Sequence, residues 1–455
     1  MGEKTIAAIS TAQGQGGIGI IRISGNEAIS TADKIFVSVS GKRLCDLEGY
    51  RAAYGKISEN SEMIDEVVAI VYRAPYSYTG EDVVEICCHG GLFVTREVLR
   101  AAINAGAILA EPGEFTKRAF LNGKMDLSEA QAVMDIISAQ SKQAARTALS
   151  QRTGALGKKV SDIKNRLVST VGHLAAWADY PEEDIPEVSS TALLENILDV
   201  KASISKLVDE YSAGQAILHG IDTVIAGRPN VGKSTLMNLL SGFDKSIVTN
   251  IPGTTRDIVE ETVIIGDVTL KLSDTAGIRD TENIVEKIGV DKTRERISSC
   301  SLILAVFDSS EELCEEDINL LESIEDTPSI AIINKTDLEN KIDLKYIESK
   351  IKNIVKISAK TGEGKKELED AIAEISGTKD FDPCAGIIST ERQRSAAIKA
   401  ISALEDAEQT LSFGFSFDAV TVCIEEAIDA LLQLTGENVA DAVVDDVFHS
   451  FCVGK

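Results

Sequence analysis

Short apolar runs and longer helical stripes alternate along this chain, and their order divides it. Residues 5–9, Thr-Ile-Ala-Ala-Ile, and residues 18–23 read as strands on either side of the glycine-rich stretch Gln13-Gly-Gln-Gly-Gly17. That stretch is either a hairpin turn or part of a nucleotide site, and Gly14-x-Gly16 alone does not decide between them. In the second run Arg22 alternates with Ile21 and Ile23, which puts it on the opposite face of the strand. Further strands are predicted at 67–72 and 83–87, with a loop at 74–80 between them. Gly90-Gly91 opens a helix that runs through Ala105. The pattern predicts an N-terminal α/β domain over residues 1–120.

From Met125 the apolar period changes to three and four, the mark of helix. Leu156, Val160, Ile163, Leu167, Val171 and Leu174 form one stripe, ended by Pro181-Glu-Glu-Asp184. Leu193, Leu194, Ile197, Val200, Ile204, Leu207 and Tyr211 form another. These make the first part of a helical domain, 121–216. A second α/β stretch follows at 217–378, and helix returns over 379–455. There Thr390 and Gln393 have the spacing of a capping box. The helix it opens is expected to bury Ala397, Ile401 and Leu404. Val420, Ile424, Ile428, Leu431 and Leu432 mark the next helix, and Ala440, Val443, Val444, Val447, Phe448 and Phe451 the last. Neither helical part is large enough for a comfortable core of its own. We expect one discontinuous helical domain interrupted by the α/β insert, against the alternative of two separate helical pieces. The fold class is multidomain α/β plus all-α.

The insert carries the chemistry. Gly227-Arg-Pro-Asn-Val-Gly-Lys-Ser-Thr235 fits G-x-x-x-x-G-K-[ST], follows the apolar run Thr223–Ala226 and precedes a helix predicted to start at Leu236. In that context the backbone N–H groups of Asn230, Val231, Gly232 and their neighbours turn onto phosphate oxygens. Lys233 would reach the β- and γ-phosphates and the Ser234 hydroxyl would hold Mg²⁺, with Thr235 beside it. Gly253-Thr-Thr-Arg-Asp257 stands where a γ-phosphate sensor belongs. Asp274-Thr275-Ala276-Gly277 closes the run Val268–Ser273, with Asp274 near the Mg²⁺ shell and the Gly277 N–H at the γ-phosphate. Asn334-Lys335-Thr336-Asp337 closes a third run, Ser329–Ile333. The Asp337 carboxylate can accept two hydrogen bonds from a guanine edge, a pair adenine cannot supply. Ser358-Ala359-Lys360 would add backbone contacts to the base. Five motifs in this order imply a Ras-like P-loop domain that binds GTP and GDP and hydrolyses GTP.

Composition bounds the rest. At 455 residues the chain has room for about three domains. Its charged and hydrophobic fractions, 26% and 44%, are those of an ordinary globular protein. No run of roughly 18 or more apolar residues exists, so no membrane span is expected. The N-terminus leads straight into a strand-like run, without the apolar core of a signal peptide. Eight cysteines are scattered without a C-x-x-C spacing, so a reduced, cytoplasmic chain is expected. A formal charge of −26 argues against a nucleic-acid coat but not against a local basic site. Lys158, Lys159, Lys164 and Arg166 are a candidate basic face, or simply a solvated helix surface.

Together, GGIGIIRISG (16–25), YTGEDVVEICCHGG (78–91), PGEFTKRAFLNGKMDLSEA (112–130), the insert's motifs, DTAGIRDTENIVEKIGV (274–290) and FCVGK (451–455) are similar to one family. The chain resembles, over essentially its whole length, the tRNA-modification GTPases known as MnmE or TrmE. The resemblance implies a folate-binding-like N-terminal domain that forms a homodimer and holds a 5-formyltetrahydrofolate-type folate. By matching motifs, Arg22, Glu85, Lys124 and Lys455 would touch that ligand. It also implies a partner protein that depends on FAD, of the MnmG or GidA type, in a heterotetramer or larger assembly. Together they would act on tRNA, adding an aminomethyl- or carboxymethylaminomethyl-type group at position 5 of the wobble uridine. Cys452 matches the family's tail cysteine. A thiolate there could add to the ring; the alternative is a plain thiol on a frayed tail. Val453 replaces the more usual Ile or Leu.

The resemblance also bears on hydrolysis. Many GTPases have Gln after Asp-Thr-Ala-Gly; this chain has Ile278. The family match gives Glu286 the task of orienting water, where a helix N-terminal acid is the alternative. It gives K⁺ to Asn230 and the loop Thr249-Asn250-Ile251-Pro252-Gly253-Thr254, with Thr249, Ile251 and Thr254 as ligands, and Mg²⁺ to Ser234 and Thr255. Asn250 stands where many members have Asp. The rival reading is a ribosome-assembly or regulatory switch GTPase with no modification chemistry, which would have no use for Glu85, Lys124 or Cys452.

Overall fold

The computed structural model describes residues 4–179, 189–242, 261–272 and 300–455. The chain divides into two compact units, Met1–Met134 with Leu432–Lys455, and Asp135–Leu431. Pro181–Asp184, Thr249–Thr255, Asp274–Gly277 and Glu286 lie outside the described residues.

The first unit is built on seven strands: β1 (Ile6–Ile9), β2 (Ile18–Ser24), β3 (Phe36–Ser38), β4 (Arg51–Glu59), β5 (Glu62–Tyr72), β6 (Val83–His89) and β7 (Ile108–Leu109). Their order in the sheet is β3-β4-β5-β6-β2-β1-β7. The expected hairpin forms, with β1 antiparallel to β2. Alternation sets the faces, as in β5, where Asp65, Val67, Ala69 and Val71 are buried and Glu66 and Val68 are not. The helices Ala28–Ile35 and Leu92–Asn104 cover the face that presents Ile21, Ile23, Val84 and Ile86. Arg22 therefore points to the other face, directly opposite Glu85 in the register of β2 and β6. The β4–β5 turn places Asn60 and Ser61 at φ 51° and 69°, both left-handed, as a two-residue hairpin turn requires.

Residues 441–455 belong to this unit. The helix Asp441–His449 buries Val444 and Phe448, which with Phe451 pack against Ala119, Met125, Leu127 and Ala130. Beyond it the chain docks in short steps. The Gly113 N–H donates to the Cys452 carbonyl at 3.3 Å and the Phe115 N–H to that of Lys455 at 3.2 Å. The Ser10 hydroxyl donates to the Gly454 carbonyl at 3.0 Å.

In the second unit the helices Ser190–Asp209 and Glu391–Ser412 lie side by side, joined by a 2.6 Å ion pair between Lys201 and Glu408. The helical segments that flank the insert thus pack on each other. The capping box forms as spaced, with Thr390 accepting from the Gln393 N–H. The insert's sheet has six strands: β8 (Ile221–Ala226), β9 (Glu261–Ile265), β10 (Val268–Leu272), β11 (Leu302–Asp308), β12 (Ser329–Asn334) and β13 (Asn353–Lys356). Their order is β13-β12-β11-β8-β10-β9, parallel except for the β9–β10 hairpin. β11 and β12 are buried along their whole length, which is why they read as unbroken apolar runs.

Gly454 sits at φ 95°, and a Cβ there would come within 2.2 Å of the Ile9 carbonyl. Both effects oppose any side chain. Gly454→Ala is expected to unseat the tail, so that carboxypeptidase releases Lys455 faster while the thermal melt of the protein changes little. Unchanged release would show that this docking does not hold the tail.

Candidate nucleotide and ligand sites

The P-loop leaves the C-terminal end of β8, between β11 and β10, where the sheet order reverses direction. Such a switch point opens a crevice for a ligand. Left-handed conformations at Asn230 (φ 65°) and Gly232 (φ 99°) wrap the loop, and the helix Lys233–Ser241 begins at once. It starts three residues before the Leu236 expected from the apolar pattern, which places Lys233 and Ser234 in its first turn. A helix N-terminus of this kind favours phosphate. Lys233 Nζ donates to the carbonyls of Gly227 at 2.6 Å and Arg228 at 2.8 Å. Burial lowers its pKa, because the charged form loses hydration. The Ser234 hydroxyl and the Asn230 carboxamide make no hydrogen bonds among the described residues.

The base motifs come to the same end of the sheet. Asn334 Nδ2 donates to the Val231 carbonyl at 2.8 Å, and its Oδ1 accepts the Ala359 N–H at 3.0 Å. The Thr336 N–H donates to the Ile357 carbonyl at 3.3 Å. Ser358 Oγ donates to Asp337 Oδ1 at 2.8 Å, which steadies an otherwise exposed carboxylate. Lys335 is left-handed at φ 61°, and its ammonium meets Asp308 Oδ2 at 2.5 Å. Burial would raise the Asp308 pKa, but hydrogen bonds from Lys335 and Ser310 outweigh it and the pKa is lowered. Asp308 was not singled out from the sequence; its only mark is that it closes the apolar run of β11. Arg228 in the P-loop pairs with Glu311 and, at 3.3 Å, with Asp317. Asn230 to Thr235, Asn334 to Asp337 and Ser358 to Lys360 thus lie at and beyond the C-terminal ends of β8, β12 and β13.

The first unit holds a separate cluster. Arg22 and Glu85 form a 2.8 Å ion pair on the face of the sheet opposite the helices Ala28–Ile35 and Leu92–Asn104. Tyr72 donates to the second Glu85 oxygen at 3.2 Å. The guanidinium lies over the rings of Tyr78 at 5.2 Å and Phe115 at 5.5 Å, two neighbours the strand pattern did not reveal. Arg22 Nη1 is buried and has no hydrogen-bond partner among the described residues. Lys455 belongs to the same cluster: burial lowers its pKa first, the Arg22 charge adds to that, and Glu85 opposes it. Lys124 is placed differently. Its ammonium is exposed and donates to the Pro75 carbonyl at 3.0 Å, on the loop that also carries Tyr78. Cys452 is exposed, three residues from Lys455.

A phosphate loop at the switch point of this sheet, with an Asn-Lys-x-Asp motif on the neighbouring loop, defines a P-loop GTPase carrying an additional α/β unit. The profile described as "GTP-binding protein TrmE N-terminus" matches residues 5–124, and that of the "MnmE helical domain" matches 127–452. The chain is 43% identical to the tRNA modification GTPase MnmE of Clostridioides difficile, covering 100% of this chain and 99% of that protein. It is equally 43% identical to that of Alkaliphilus oremlandii, with the same coverage. Among solved structures, the G domain of the T. maritima FeoB iron transporter is 32% identical over 34% of this chain and 98% of its own length, at a TM-score of 0.26. The chain belongs to the MnmE family of tRNA modification GTPases. It is a GTPase that acts in tRNA modification. No helix among the described residues is long and apolar enough to cross a membrane.

Nucleotide choice should turn on Asp337. Asp337→Asn replaces one carboxylate oxygen by a donor, and is expected to weaken GTP binding and favour xanthine nucleotides. Nucleotide titration checks this; an unchanged GTP affinity would take Asp337 out of base recognition.

Proposed function

We propose that this GTPase drives modification at position 5 of the wobble uridine of certain tRNAs, in the cytoplasm. It would work as a homodimer with an FAD-dependent partner, and take its one-carbon unit from a 5-formyltetrahydrofolate-type folate. The observation that carries the reading is the Arg22–Glu85 pair set against Phe115, the residue whose N–H holds the Lys455 carbonyl. A regulatory switch has no need of such a cluster outside its nucleotide domain. Its chemistry suits a folate: a carboxylate to accept from the pterin edge, cations for carbonyl and carboxylate oxygens, and aromatic rings to stack. The unpartnered Arg22 Nη1 leaves a buried donor for such an oxygen. Lys124 would join from the 74–80 loop. The folate, when bound, would supply a one-carbon unit, and these residues would bind and orient it. The exposed Cys452 thiol is free to reach a substrate ring.

For hydrolysis, Mg²⁺ fits the unbonded Ser234 hydroxyl, with Thr255 as second ligand. K⁺ fits the free Asn230 carboxamide, with oxygens of Thr249, Ile251 and Thr254. Glu286 would orient the attacking water. A monovalent cation, when bound, would supply positive charge to the transition state, where many GTPases use a Gln or an arginine finger. Asn230 and Lys233 would hold the phosphates.

Two measurements test this. GTP turnover in KCl should exceed that in NaCl at equal ionic strength by about 10²-fold, the scale of one lost transition-state contact. Asn230→Ala should abolish the difference with little change in GTP affinity; equal rates in the two salts for the parent would defeat the cation mechanism. In cells lacking the protein, Arg22→Ala and Cys452→Ser should keep GTPase activity and fail to restore the modified nucleoside, read by mass analysis of tRNA. A variant that restores it is not needed for the chemistry at that residue.

A further inference from the structure

The basic residues that the helical pattern offers are mostly engaged. Lys159 donates to the Gly386 carbonyl at 3.1 Å and lies 3.8 Å from Glu210. Arg166 is paired with Asp199 at 2.6 Å, and Lys164 has a partner too. A second basic stretch lies elsewhere. Residues 341–366 contain eight lysines and only three acidic residues, in a chain of net charge −26. They span the helix Leu344–Lys350, β13, and the start of the helix Lys365–Ile375. β13 is the last strand in the sheet order, so one of its edges is open.

Lys341, Lys345, Lys352, Lys356, Lys360 and Lys366 are all exposed and form no ion pair among the described residues. Two of the acids nearby are engaged elsewhere. Asp343 is used as the helix cap, accepting the Lys345 N–H at 3.0 Å. Glu325 is taken by Lys350 at 3.3 Å. Glu348 and Glu363 lie within the stretch, and the exposed Glu339 and Glu367 flank it, so the excess of cations is confined to residues 341–366. Lysines on an open edge also keep other strands from pairing with it. That accounts for Lys352 and Lys356, which flank or end β13. It does not account for the other four, which lie off the strand.

We propose that this edge of the GTPase domain is a docking surface for the phosphate backbone of tRNA. The proposal rests on the chain's role in tRNA modification. An RNA approaching a strongly acidic protein is repelled except where cations cluster, and unpaired lysines are the residues that can exchange counterions for phosphates. The surface reads no sequence; it positions the RNA.

The test uses the full chain with Lys345, Lys352, Lys356 and Lys366 all changed to Gln. Lys360 is left intact because it lies in the guanine motif. Binding to unmodified tRNA is titrated between roughly 50 and 200 mM salt. The parent should bind with an affinity that falls steeply with salt. The variant should bind at least about tenfold more weakly, with a log–log slope shallower by about 3, close to 0.7–0.9 per lost phosphate contact. GTP affinity and turnover should not change. The matching Lys→Arg variant keeps charge and should keep binding, which separates loss of charge from loss of fold. Equal affinity and slope in the Gln variant would overturn the surface while leaving the tRNA role intact. A parent that binds no tRNA even at low salt would overturn both the surface and direct contact with tRNA.

Discussion

The nucleotide site hangs on one buried side-chain amide. Asn334 is 2% exposed, and its carboxamide spends a donor on the P-loop and its acceptor on the loop after β13. Three loops from three strands are therefore fixed to one another before any nucleotide arrives. The amide also explains Gly232 in a way phosphate binding alone does not. A Cβ at that position would stand 2.2 Å from Asn334 Nδ2. Removing the amide would leave the Val231 carbonyl and the Ala359 N–H without partners, at about 1–3 kcal/mol for each group that stays buried. Base recognition follows from the same brace, since Lys335 and Asp337 continue the chain from Asn334. Their own contacts, to Asp308 and Ser358, keep the motif from relaxing when the base is absent.

A second constraint closes the first unit. The Ser10–Gly454 hydrogen bond joins residues 444 positions apart. Loop closure costs grow only logarithmically with length, so the separation itself is not prohibitive. What holds the tail is local: two backbone hydrogen bonds, from Gly113 and Phe115, that of the Ser10 hydroxyl, and the aromatic anchors Phe448 and Phe451 just before it. The result is a cluster with two cations and one carboxylate, partly withdrawn from water. Such a group is costly when left unsatisfied. The cost falls when a polar ligand completes the hydrogen bonds, which is a physical reason to read it as a binding site rather than a structural ion pair.

Much of this was legible in the chain because it is local. Strands buried on both faces read as unbroken apolar runs, and the phosphate and guanine motifs sit where those runs end. The Arg22 face followed from alternation with Ile21 and Ile23. Its pairing with Glu85 did not, because register between β2 and β6 depends on contacts 63 residues apart. β4 escaped notice for a different reason. Its sequence Arg-Ala-Ala-Tyr-Gly-Lys-Ile-Ser-Glu is weakly apolar, and Gly55 is there for close approach, since a Cβ would lie 2.4 Å from the Val37 carbonyl. The stripe at 440–451 announced a helix and its buried face. Periodicity gives the face but not the surface that covers it, so the docking of Phe448 beside Ala119 and Leu127 could not be read.

The seam between helices and nucleotide domain in the second unit has a mechanical consequence. The helix Tyr211–His219 runs directly into β8 through Gly220, and a Cβ there would lie 2.8 Å from the Thr269 carbonyl of β10. Ala216 and Ile217 share one apolar core with Leu270 and Leu272. The N-cap Ser141 of the helix Lys142–Arg152 reaches the Asp267 carbonyl in the β9–β10 turn at 3.5 Å. β10 leads toward Asp274, the residue assigned to the Mg²⁺ shell. Close-packed interiors have little free volume, so a strand cannot slide without moving what it touches. A shift of β10 with the state of the nucleotide would press on two helices at once. The sheet that carries the P-loop is thus joined to the helical region by contact on one side and by covalent continuity on the other.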